Sequence, residues 1–251
     1  MANELYPRGA GESLEEIGAQ GKGKKWKNWW MRYRIHLLLV VVALILLGSL
    51  LFPLLRRAVP DYRVGLITSY TMPSEGVDQL EEVLARYADD RNGDGEVLVS
   101  VSTYNFPSSV DTQRRENILM RLEADCASNE VQVFFYEEAG FQEAQDALKG
   151  LLQYNDGTLM GEDATDFENA RLSWNDYAGL ASFEPQPTSD GTYTSDMLTN
   201  LYTQLWVSVR SSESRIPLND QEQQYYQGCL DMLERLQEDA PINGNTQTEE
   251  G

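Results

Sequence analysis

DYRVGLITSYTMPSEGVDQLEEVLARYADDRNGDGEVLVSVSTYNF, residues 61–106, carries a hydrophobic period that changes twice. Residues 62–69, YRVGLITS, are rich in β-branched and apolar side chains and read as a strand. A helix then runs from Pro73-Ser74 to about residue 89. Val77, Leu80, Val83, Leu84 and Tyr87 recur in it at three- and four-residue spacing, while Glu81, Glu82, Arg86 and Asp90 take the other face. Residues 96–104, EVLVSVSTY, alternate Val97, Val99 and Val101 against Leu98, Ser100 and Ser102, the period of a second strand.

Downstream the alternation continues. Residues 111–127 place Ile118, Leu119, Leu122 and Cys126 on one helical stripe, residues 130–136 (EVQVFFY) form a third strand, and residues 141–151 a short helix. Strand and helix in strict alternation point to an α/β fold of βαβ units, with a mainly parallel sheet flanked by helices. From 155 to 200 the pattern dissolves into Gly, Asp, Thr and Ser with isolated aromatics: Phe167, Trp174, Tyr177 and Phe183. That length is too great for an idle connection, so it is either a functional surface or a set of short strands. Residues 205–209 (LWVSV) give a further strand and residues 221–237 a closing amphipathic helix. One domain, 60–238, accounts for all of these elements, and the polar stretch 239–251 is expected to be a disordered tail.

Ahead of the domain stands IHLLLVVVALILLGSLLFPLL, residues 35–55, without a charge. As a helix it is long enough to cross a hydrocarbon core about 30 Å thick. Lys22, Lys24, Lys25, Lys27, Arg32 and Arg34 precede it, against Arg56, Arg57 and Arg63 behind it, which places residues 1–34 in the cytoplasm and the domain outside the cell. Trp26, Trp29, Trp30 and Tyr33 suit the headgroup layer. A cleaved signal peptide is the competing reading, but its apolar core is shorter and ends in small residues. A single-pass anchor with a largely disordered cytoplasmic tail, and the lipid bilayer as its first partner, is the expectation.

The chain carries a net charge of −20. Lys149 is the only lysine beyond the apolar run, so a nucleic-acid partner is disfavoured, because phosphate binding needs clustered Lys and Arg. The sole histidine, His36, lies in the apolar run. The domain therefore has no imidazole for a Ser/His/Asp or Cys/His mechanism or for zinc. Paired carboxylates remain open to it, as in a glycosidase. Cys126 and Cys229 are the only cysteines, and they fit either an extracellular disulfide or two buried thiols.

Two groups of residues are candidate sites. In an open parallel sheet, ligands bind beyond the carboxyl ends of the strands. Thr68, Ser69, Tyr70 and Thr71 follow the first strand, Tyr104 and Asn105 the second, and Tyr136, Glu137 and Glu138 the third. Hydroxyls there equally serve as helix caps. Asp90, Asn92 and Asp94 with Gly95 match the first half of a calcium loop, although Val101 stands where the bidentate acid belongs, and a tight turn explains the same residues.

On these segments the domain resembles the first lobe of bacterial extracellular solute-binding proteins, with a helix like LEEVLARYADD between its strands. More closely, residues 61–106, EVQVFFYEEAGFQ and LWVSVRS are similar to a group of uncharacterised Gram-positive membrane-anchored proteins. The resemblance implies a solute-binding-like domain outside the cell, of one lobe where two are usual. A non-enzymatic binding or interaction domain follows, accessory to a membrane transport complex, with a small solute or another membrane protein as partner. The alternative is a wall- or glycan-directed hydrolase using paired carboxylates.

Overall fold

The computed structural model describes residues 30, 38–42 and 59–243. The chain divides into two units, Met1–Ala58 and Val59–Gly251. In the first, residues 38–42 are helical and exposed. The rest of the 35–55 segment lies outside the described residues, as does the tail 1–34 apart from Trp30. Among the described residues no helix is long and apolar enough to cross a membrane.

The second unit is a mixed α/β domain. Its strands are β1 (Tyr62–Thr68), β2 (Val99–Asn105), β3 (Val133–Tyr136), β4 (Leu172–Ser173) and β5 (Trp206–Val209), in the sheet order β2-β1-β3-β5-β4. Its helices are α1 (Ser74–Ala85), α2 (Thr112–Ala127), α3 (Glu138–Leu148), α4 (Ala178–Ala181), α5 (Ser195–Tyr202) and α6 (Asp220–Glu238). β2, β1 and β3 are parallel, as their crossover helices require. The period-2 alternation sorts the core by face. Val64, Leu66, Val133 and Phe135 meet α1 and α6 on one side, and Ile67, Phe134, Tyr136 and Tyr104 meet α2 and α3 on the other.

The expectation of a mainly parallel sheet holds for these three strands and is corrected for the remaining two. β5 pairs antiparallel with β3, Tyr136 opposite Trp206, and β4 antiparallel with β5. After β3, α3 carries the chain back to the amino edge, where Leu152 bridges Arg210. The 155–200 segment then crosses to the carboxyl edge, where the Tyr202 hydroxyl donates to Gly76 O at the start of α1. β5 therefore starts at the carboxyl edge and has only the reverse direction open. The segment is mostly exposed but its aromatics anchor it to the core: Trp174 and Tyr177 are buried, and Phe167 and Phe183 pack against the two faces.

Both expected strands at the amino edge shorten by three residues. Residues 96–98 run past the start of β1, and Leu98 is held instead by Asp61. Residues 130–132 are kept off β1 by Tyr225 of α6, whose hydroxyl accepts from Arg63 N (2.8 Å) and donates to Glu130 O (2.8 Å). Residues 239–243, expected to open a structureless tail, are tied down. Ile242 N and Asn243 N donate to Arg86 O, and Asn243 Nδ2 to Ala85 O and Ala88 O, which caps the end of α1. Residues 244–251 lie outside the described ones.

Cys126 packs on the α2–α3 side of the sheet and Cys229 on the α1–α6 side, both as free buried thiols, so the disulfide alternative falls. Beside Cys126 lies Arg210, fully buried, donating to Cys126 O (3.0 Å), Ser214 Oγ (3.2 Å) and Ile216 O (2.7 Å). It fastens the loop after β5 to the carbonyl end of α2, where a cation is favoured.

Candidate functional site

At the carboxyl edge the chain brings four of the nine candidate residues, Thr68, Ser69, Asn105 and Glu137, together and uses them on itself. β1 feeds α1 on one face and β3 feeds α3 on the other, which makes the gap between them the switch point of the sheet. Glu137, the N-cap of α3, fills it. Its carboxylate accepts from Ala139 N (2.7 Å), Gly140 N (2.7 Å) and Ser69 N, and it is buried. Gly140 lies directly on β1, where a Cβ would stand 2.6 Å from Thr68 Cα. The Thr68 hydroxyl is 2.6 Å from Tyr70 O and 3.0 Å from Asn105 Oδ1. Thr71 is exposed.

The three tyrosines do not line one cleft. Tyr104 and Tyr136 both sit opposite Ile67 in the register and turn into the α2–α3 core. The Tyr104 hydroxyl donates to Asp125, and that of Tyr136 lies 2.7 Å from Ser208 Oγ. Burial pushes the Tyr136 phenol up to about 12. Tyr70 packs on the opposite face with its hydroxyl on Leu201 O (3.3 Å), and burial raises its pKa, with the charge of Glu137 adding to the shift.

The calcium-loop residues also turn inward. Asp90 accepts from Gly93 N and Gly95 N, Asn92 Oδ1 from Asp94 N, and Asp94 Oδ1 from Glu96 N. Gly93 and Gly95 adopt positive φ of 73° and 88°, which the tight turn requires. Among the described residues no three His, Cys, Asp or Glu side chains gather as a metal site. The turn is clamped by Asp61, 2 % exposed, which accepts from Arg91 N (2.9 Å), Asn92 N (3.0 Å) and Leu98 N (2.9 Å). Sequence reasoning missed Asp61; its place, just before a strand and after Pro60, was the available signal.

The clefts lie at the opposite edge. Where Tyr225 splays β1 from the chain entering β3, a cavity of about 340 Å³ opens between Val59, Arg63, Glu130, Asn219 and Tyr225. A second, also about 340 Å³, continues along α6 between Asp89, Gln223, Gln224, Gln227 and Asp231. Arg91 lines both, its guanidinium 4.9 Å from the centre of the Tyr225 ring, which stacks in turn on Tyr62. Several groups along this groove are already engaged. Arg63 pairs with Glu130, and Tyr62 donates to Asp89 (2.7 Å). Asn219 and Glu222 form a capping box on α6 that holds the Glu222 carboxyl below its usual range. A larger cavity, about 410 Å³, lies by α1 and α4 and is bordered by Asn243 of the strapped tail, whose amides are spent on Arg86 O. Periodicity marks Tyr225 only as an apolar-face residue of the last helix, so the groove had no signal in the sequence.

Compared with known proteins, the chain matches no family model, no curated protein and no solved structure.

Proposed function

We propose that this chain is a membrane-anchored binding or interaction domain held outside the cell by the 35–55 segment, solute-binding-like, acting without catalysis beside a membrane transport complex. The observation that carries the reading is the groove divided by Arg91. It is an open, shallow groove lined by both polar and apolar groups, and Arg91 makes no ion pair among the described residues. The charge asymmetry around the apolar run supports the orientation, and the lack of histidine in the domain supports a binding role over acid–base chemistry.

Protease added to intact cells tests the location. With residues 1–34 inside, the domain is digested while an epitope on the N-terminal tail survives and stays in the alkali-washed membrane fraction. Full protection of the domain refutes it. One observation favours the hydrolase alternative, since Asp89 and Asp231 line the same cavity. Release of reducing ends from a glycan by the full-length chain, abolished by Asp231→Asn, would establish that reading in place of the first.

A further inference from the structure

We propose that the groove on either side of Arg91 holds a neutral, hydroxyl-rich carbohydrate chain; this rests on the reading of the domain as a binding module and names the ligand class of its site.

The fold leaves few polar side chains along this groove unspent. Asp61 is consumed by three backbone amides, Arg63 by Glu130, and Asp89 by the Tyr62 phenol with Arg235 3.7 Å away. Among the described residues, the side chains of Arg91, Asp231, Gln223, Gln224 and Gln227 make no hydrogen bond or ion pair, and all five line the second cavity. They comprise one cation, one anion and three amides, a set with no excess of either charge, so a charged ligand meets a like charge for every opposite one. A phosphate or polyanion would also face Asp89 and Asp231, and an organic cation would face Arg91.

What remains matches hydroxyls. A guanidinium donates through a planar fork, a carboxylate accepts at two oxygens, and an amide does both, whereas each sugar hydroxyl is at once donor and acceptor. A peptide would need a free strand edge or an apolar anchor pocket. The groove has no free strand edge, its exposed apolar side chain Val59 (64 %) stands at one end with no pocket behind it, and Tyr62 and Tyr225 are only 1 % and 8 % exposed. Arg91 is also ordered in advance, its amide on Asp61 and its guanidinium on Tyr225, so little freedom is lost when a ligand binds. Two open concavities of about 340 Å³ each meet at Arg91, which gives length for a chain of rings.

The test uses the full-length chain in phosphatidylcholine nanodiscs, titrated calorimetrically with chitohexaose, cellohexaose, xylohexaose and maltohexaose, and with a neutral Gly/Ser/Ala peptide and polyphosphate. At least one oligosaccharide should saturate, and Arg91→Ala and the double variant Gln224→Ala/Gln227→Ala should each weaken it about tenfold or more with an unchanged thermal midpoint. The proposal is overturned if no oligosaccharide saturates below about 10 mM, if Arg91→Ala binds like the parent, or if only the peptide or polyphosphate binds in an Arg91-dependent way. Both faces of a nanodisc are open to the ligand, so this result is independent of the protease experiment. Sugar binding with a protected domain would sink the location alone, and an exposed domain without sugar binding would sink this inference alone.

Discussion

Glu137 shows how a side chain can close a site that topology opens. The amide end of α3 points at the switch point of the sheet, a position that attracts anions in open α/β folds. Here the protein's own carboxylate takes the three amides of Ser69, Ala139 and Gly140. Glu137→Ala strands those donors in a buried place and should cost about 2–4 kcal/mol in urea unfolding. Sulfate should then stabilise the variant more than the parent; equal stabilisation of both would show that the carboxylate is no anion substitute. Sequence reasoning located this edge because strand ends and helix starts are written in periodicity, and so Thr68, Ser69, Asn105 and Glu137 do converge. It could not see that the acid among them points at backbone amides rather than at solvent, since that depends on the close approach of Gly140 to Thr68.

Among the elements, β2 is an edge strand of the sheet, and two of its outward backbone groups are covered by neighbouring helices. Val101 N donates to Glu81 of α1 (2.7 Å), and Thr103 O accepts from Arg121 of α2 (3.0 Å). An uncovered edge is a template for pairing with another chain. The double variant Glu81→Ala/Arg121→Ala should therefore scatter more light as concentration rises while the parent does not, and unchanged scattering would deny the clamps that role. At the opposite end of β1, Tyr225 stands in for the missing ladder. Tyr225→Phe removes the acceptor of Arg63 N and should cost about 1–3 kcal/mol, read as a lower urea midpoint at constant slope. The existence of β5 was legible from LWVSV, but its direction was not. Strand patterns carry no polarity, and direction followed from where the 155–200 segment delivers the chain.

Across the whole domain, the two faces of the sheet each bury one thiol, and burial pushes both Cys126 and Cys229 up from 9.0 to about 12. An unfolded chain loses these protons near pH 9 whereas the folded one keeps them, so between about pH 9 and 12 the folded state binds more protons and its stability falls as pH rises. The thermal midpoint should decline through that window, and less so in the double variant Cys126→Ala/Cys229→Ala when each is compared with its own value at neutral pH. At pH 8 neither thiol should react with maleimide until denaturant is added, whereas rapid labelling of the native chain would contradict the buried placement.

The proposed binding places recognition at the amino edge, in the groove around Arg91, and not at the carboxyl edge that the sheet topology first suggests. Hydrogen exchange of the full-length chain in nanodiscs, with and without the oligosaccharide that binds most tightly, addresses it directly. Protection should rise in residues 89–92 and 219–231 and stay unchanged in 68–71, 104–105 and 136–140. Protection confined to the second set would place the site at the carboxyl edge and contradict the account.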